Sequence, residues 1–193
     1  MDVPEFLTPV GLAWRIRRET LLDDLSWLLE ASASDSSRRQ LIDGGVLVLV
    51  AGFQAAMRSL LALGSRGIGD AIGGDLGLIV QRALTADSRL ARGNASADNL
   101  RTDFARIGID VWDLDYGVGI EGWVRRGWLD DVNEVRNAIA HGTPPGAALG
   151  VIDFERIREF AVSLDAVVVV VERAVVALIE RATRSRDHGH EAM

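Results

Sequence analysis

One short run of this chain gathers side chains that can move protons and hold anions: Glu134-Val135-Arg136-Asn137-Ala138-Ile139-Ala140-His141-Gly142. An imidazole titrates near neutrality, which suits His141 to general acid–base work. A guanidinium fork matches the oxygens of a phosphate or carboxylate, which suits Arg136 to holding an anion. The bland alternative is that both residues merely cap a helix end, where cations are favourable by about 0.3–1 kcal/mol. On a helical wheel of about 100° per residue, Trp128, Val132, Val135 and Ile139 share the side that would face a core. Asp130, Asn133, Glu134, Asn137 and His141 share the other. Asn137 and His141 are neighbours one turn apart. Arg136 lies roughly 140° around from His141, yet its long side chain can swing toward the same patch. A group that points away from its own bundle needs a second wall to exclude water. An identical chain across a two-fold axis is the simplest supply.

Other segments carry weaker signals. Gly117-Val118-Gly119-Ile120-Glu121-Gly122 satisfies G-x-G-x-x-G, but that fingerprint binds dinucleotides only within a strand–turn–helix unit, and no preceding strand is evident. His188 and His190 form an HxH pair in a polar tail without supporting carboxylates or thiolates, so a solvated tail is the better account and no metal site is expected. Trp123 and Trp128 flank Arg125 and Arg126. Such a patch can guide a single-stranded nucleic acid by stacking and charge, or consist of half-buried indoles beside a solvated arginine pair.

With 48% hydrophobic and 25% charged residues, the 193-residue chain has the composition and length of one ordinary globular domain with a real core. Its net charge of −7 excludes a broadly basic nucleic-acid coat, so any contact with phosphate must be local. Every basic residue other than histidine is arginine, a bias read first as coding preference. The absence of cysteine removes disulfides and thiolate metal sites and fits a reducing cytoplasm. Met1 to Pro9 carries acids and prolines where an export signal would carry a basic flank and an apolar run, so export is not expected.

The elements that would position the motif read as helices throughout. Thr8-Pro9 starts a first helix to about Glu30, with Leu21, Leu25, Trp27, Leu28 and Leu29 on a wide apolar face. Ala31 to Ser37 is a connection. A second helix spans about Ser37 to Leu63. Its apolar run, Gly45 to Met57, is too short for a membrane span before Arg58 and reads as a buried helix, so no membrane partner is expected. Gly64, Gly67, Gly69, Gly73, Gly74 and Gly77 then predict a flexible loop, because each glycine costs roughly 1 kcal/mol against alanine inside a helix. A third helix follows over about Leu76 to Leu90, Gly93 to Asp98 is a polar break, and Asp98 caps a short fourth helix ending near Gly108. In Ile109 to Gly122 the residues Val111, Trp112, Leu114 and Tyr116 fit a short strand or an irregular loop, and the loop is favoured because no partner strand is evident. The motif helix begins at Glu121 or Trp128 and stops at His141 before Gly142, Pro144 and Pro145. The last helix covers about Asp153 to Ala182, because Ile157, Phe160, Leu164, Val168, Val171, Val175 and Leu178 keep a helical period that overrides the strand propensity of five valines. Arg158, Glu172, Arg173 and Glu180 lie off that stripe, and Arg184 to Met193 is expected to be a disordered tail. The fold class is an all-α bundle of about five main helices over residues 1–183.

The run RNAIAHG, set before a long last helix, resembles the RxxxxH signature of the HEPN superfamily, small all-helical domains that are often metal-independent ribonucleases. The helix order looks like the RiboL-PSP-HEPN branch and its neighbours. That resemblance implies a homodimer with its cleft across the interface, RNA as substrate and no cofactor. The implied chemistry is 2′-hydroxyl transesterification. His141 takes the ribose proton or protonates the leaving 5′-oxygen, and the symmetry-related His141 does the complementary step. Arg136 holds the scissile phosphate, Asn137 orients His141 or donates to the phosphate, and Glu134 sets the histidine tautomer. The same resemblance implies bacterial defence, RNA processing, or a toxin–antitoxin pair with an antitoxin as protein partner. A non-catalytic HEPN module that dimerises or docks is the alternative.

Overall fold

The structure is a computed structural model that describes residues 8–113, 118–144, 146 and 149–191, with side chains to 185. The expectations placed on Met1–Leu7, Leu114, Tyr116, Gly117, Pro145 and the imidazoles of His188 and His190 lie outside the described residues. Seven helices, with no strand among the described residues, make the all-α class plain: α1 (Pro9–Ala31), α2 (Asp35–Ile72), α3 (Gly74–Thr85), α4 (Arg89–Arg92), α5 (Ala97–Ala105), α6 (Gly122–His141) and α7 (Phe154–Glu191). The count exceeds the expected five because two short helices, α4 and α5, bridge the middle of the chain.

The bundle is built around α2 and α7. On α2, Val46, Leu49, Phe53, Met57 and Leu60 are buried, and that helix packs on α1, α3 and α7. Length and hydropathy alone would let α2 cross a membrane. Its buried stripe is instead that of a core helix. On α7, Ala166 to Val171 are all buried, so the valines are covered on every side of the helix rather than along one stripe. Glu172, expected off the stripe, is also buried. Its carboxylate accepts hydrogen bonds from Thr8 N at 2.8 Å and Thr8 Oγ1 at 2.5 Å, while Thr8 Oγ1 accepts from Gly11 N and caps α1. Trp14 Nε1 donates to Asp165 Oδ1 at 2.6 Å, and Arg18 pairs with the same carboxylate, so α1 is tied to α7 twice.

The glycine-rich segment corrects the sequence reading. α2 runs straight through Gly64, Gly67 and Gly69 to Ile72, and the chain turns only at Gly73 (φ 77°) and Gly74 (φ 56°). A Cβ on Gly64 would lie 2.8 Å from Ile107 Cδ1, one on Gly67 2.5 Å from Ile179 Cγ1, and one on Gly77 2.2 Å from the Gly69 carbonyl oxygen. Gly69 and Gly77 let α2 and α3 touch backbone to backbone, Gly64 and Gly67 make room for the Ile107 and Ile179 side chains, and that packing outweighs their poor helix propensity. Smaller differences follow the caps. Ser34 starts α2 and Ser96, not Asp98, caps α5, each through its hydroxyl. Trp27 and Leu28, expected on an inward face, are exposed. Helix α7 continues past Ala182 to Glu191, into the segment expected as a tail.

Candidate functional site

Helix α6 carries every residue of the motif, and its two ends are fixed by glycines. At the start, a Cβ on Gly122 would lie 1.6 Å from the Trp112 carbonyl oxygen, so only glycine lets the preceding loop close on the helix. At the end, Gly142 adopts the left-handed conformation (φ 63°), and Thr143 N donates to Ala138 O at 2.9 Å. Leu129, Val132, Val135 and Ala138 bury one face, while Trp128 and Ile139 are half-buried at its margin. Trp123, Arg126, Asp130, Glu134, Asn137 and His141 fall within an arc of about 80° on the opposite side. This is one continuous polar stripe.

A shallow groove of about 440 Å³ lies at the C-terminal end of the stripe, lined by Asp130, Asn133, Glu134, Asn137, His141 and Thr143 among others. His141 and Asn137 are exposed there, one turn apart. Arg136 does not line the groove. It lies half-buried on the flank, and its Nη1 donates to Asn137 Oδ1 at 3.0 Å; Asn94 Nδ2 approaches the same oxygen at 3.5 Å. The guanidinium therefore reaches the groove only through the Asn137 carboxamide, which lines it together with His141. Asn94 carried no signal in the sequence, because it comes from the break before α5.

Two members of the expected polar arc behave differently. Glu134 Oε1 accepts from Gly146 N at 3.1 Å and ties down the loop after α6; no hydrogen bond joins it to His141 among the described residues, so the tautomer role has no contact behind it. Asn133 is buried, only 7% exposed, and its Nδ2 donates to Leu129 O at 2.9 Å and Ala95 O at 3.2 Å. Its Oδ1 sits at the groove floor without a partner among the described residues. Asp130, above it, has its carboxyl pushed above the usual carboxylate range by partial burial, with Asp98 and Asp131 adding to the rise and Arg126 opposing it.

The arginine pair splits. Arg125 is fully buried and donates to the Ile120 carbonyl, so it braces the loop before α6 and is not a solvent-side nucleic-acid contact. Its side chain falls on the core side of the wheel, which adjacency to Arg126 concealed. Arg126 faces outward, pairs with Asp98 at 3.1 Å and Asp130 at 3.9 Å, and lines a larger groove of about 730 Å³ together with Arg101, Trp112 and Trp123. Trp128 is elsewhere, in a depression beside Arg156 and Phe160 of α7. Among the described residues no strand precedes the G-x-G-x-x-G run; Gly119 supplies a positive φ and Gly122 the close approach to Trp112, which accounts for both without a nucleotide. Among known proteins, no family model, no curated sequence and no solved structure matches the chain.

Proposed function

We propose that the protein is a HEPN-type, metal-independent endoribonuclease that cleaves RNA by 2′-hydroxyl transesterification. The observation that carries the reading is the chain of contacts from Arg136 through Asn137 to the groove where His141 is exposed. One His141 imidazole removes the proton from a ribose 2′-hydroxyl, and the 2′-oxygen attacks the adjacent phosphorus. The bond from phosphorus to the 5′-oxygen breaks, and that oxygen takes a proton from a second imidazolium, leaving a 2′,3′-cyclic phosphate and a 5′-hydroxyl. Arg136 and the Asn137 amide offset the charge that gathers on the phosphate oxygens.

A shallow, open groove cannot exclude water by itself. The reading therefore includes a homodimer in which the second copy covers the groove and supplies the second histidine. Its setting is the cytoplasm, in defence, RNA processing or a toxin–antitoxin pair with a neutralising protein. The alternative, a non-catalytic dimerising or docking module, is favoured by one observation: Asp130 and Glu134 line the same groove as His141. Incubation of purified protein with RNA in chelator, read for 2′,3′-cyclic phosphate ends, separates the two. Cleavage should fall roughly 10²-fold to 10⁴-fold in His141→Ala, and comparably in Arg136→Ala. Equal cleavage by wild type and His141→Ala refutes the assignment.

A further inference from the structure

The larger groove at the N-terminal end of α6 belongs to the same face as His141, and its chemistry is that of a strand-binding surface. Two indoles wall it: Trp123 is 73% exposed, and Trp112 is half-buried with its Nε1 donating to Ala97 O at 3.2 Å. The Trp112 ring is held by that carbonyl and the Trp123 ring by a carboxylate. Asp110 Oδ1 accepts from Trp112 N at 3.1 Å, and Glu121 accepts from Trp123 Nε1. Glu121 is thus engaged with the Trp123 ring, Asp110 with the Trp112 backbone and Arg126 with Asp98 and Asp130, while Asp113 is a further carboxylate on the groove wall. Arg101, on the groove wall, has no ion-pair partner among the described residues. A lone guanidinium beside two oriented indoles fits a ligand that alternates anionic and flat aromatic groups.

From Arg126 to His141 the helix rises about 22 Å, a span suited to a strand of about four nucleotides, the lower end of the range for single-strand grooves. We infer that this groove anchors single-stranded RNA upstream or downstream of the cleaved bond, with bases stacked on Trp112 and Trp123 and a backbone phosphate on Arg101. The inference rests on the ribonuclease reading for its substrate. A duplex is excluded as the anchored form, since its paired bases cannot stack on protein rings.

The test compares wild type, Trp123→Ala and Arg101→Ala on a labelled eight-nucleotide single strand and on a dinucleotide too short to reach the groove. For the octamer, each variant should raise KM about tenfold, the lower range for one lost stacked base, with kcat kept; for the dinucleotide neither constant should move. Trp123 and Arg101 are exposed, so thermal melting should be unchanged and reports any variant that fails to fold. The same octamer is then titrated by anisotropy against His141→Ala and against His141→Ala/Trp123→Ala. If wild type cleaves no RNA but Trp123→Ala still weakens octamer binding tenfold, the groove stands and the nuclease reading falls. Cleavage of the octamer with unchanged KM in both variants overturns the groove and leaves the nuclease reading intact. Binding of an acidic, aromatic peptide in place of the octamer also overturns it.

Discussion

Two asparagines on the same helix show how differently one residue type is used. Asn137 is exposed, and its carboxamide links Arg136 to the groove; Asn133 is buried, and its amide satisfies the carbonyls of Ala95 and Leu129. Asn133→Ala should therefore lower stability by about 1–3 kcal/mol, the cost of leaving buried acceptors unpaired, and chemical denaturation measures it. Asn137→Ala should melt like wild type while losing RNA cleavage. The wheel assigns both residues to one polar arc. It could not separate them, because what buries Asn133 is a segment 38 residues away. The same wheel did identify His141 and Asn137 as outward neighbours, since a single helix fixes that relation. Asp130 adds a pH-dependent outcome. Its carboxyl is raised above the ordinary range mainly by partial burial, so the folded state holds the proton more tightly than the unfolded state. The ionised form then detracts from stability above the unfolded value, and the deficit disappears as pH falls through and below that value. Asp130→Asn should raise the melting temperature at neutral pH and confer no gain near pH 3, below the usual carboxylate value of about 3.9. A gain that is equal at both pH values would show the effect is not ionisation.

The glycines of α2 and α3 were the least readable part of the fold, and the reason is physical. Helix propensity is a local quantity of roughly 1 kcal/mol per glycine, whereas the contacts of Gly67 with Ile179 and of Gly77 with Gly69 join segments far apart in the chain or across a turn. Periodicity, by contrast, records burial directly. That is why α1, the end of α6 and the start of α7 were legible to within a residue or two, while the start of α6 stayed open between Glu121 and Trp128. Glycines with nothing near them should still follow propensity. Gly44→Ala, in α2 with open space at its Cβ position, should stabilise by about 0.4–1 kcal/mol. Gly77→Ala should do the opposite by roughly 1–3 kcal/mol, the usual cost of overpacking, because its Cβ would meet backbone that has no rotamer to yield. Paired thermal melts decide the matter. If both substitutions stabilise, α3 is not packed on α2 as closely as described.

Two of the faces on which a second copy can sit differ in kind. One is the polar stripe of α6; the other is an apolar patch between α1 and α2, where Leu12, Ile16, Leu47 and Val48 are exposed. Apolar area is the stronger general drive to association, but only the α6 face brings a second imidazole to the shallow groove that holds His141. The proposed chemistry thus predicts which face is used. Near a two-fold axis a single substitution introduces its charge twice, at short range from its own image. Ala140→Glu, exposed at the end of α6 on the flank of the stripe between Asn133 and Arg136, should therefore convert a dimer of twice the 20.9 kDa chain mass into monomer and abolish cleavage together with dimerisation. Val48→Glu should leave both unchanged. Light scattering across a range of tens of micromolar, where weak interfaces begin to fill, reads the mass in each case. A dimer that survives Ala140→Glu but dissociates in Val48→Glu moves the axis to α1 and α2, and the groove must then work with the one histidine it has.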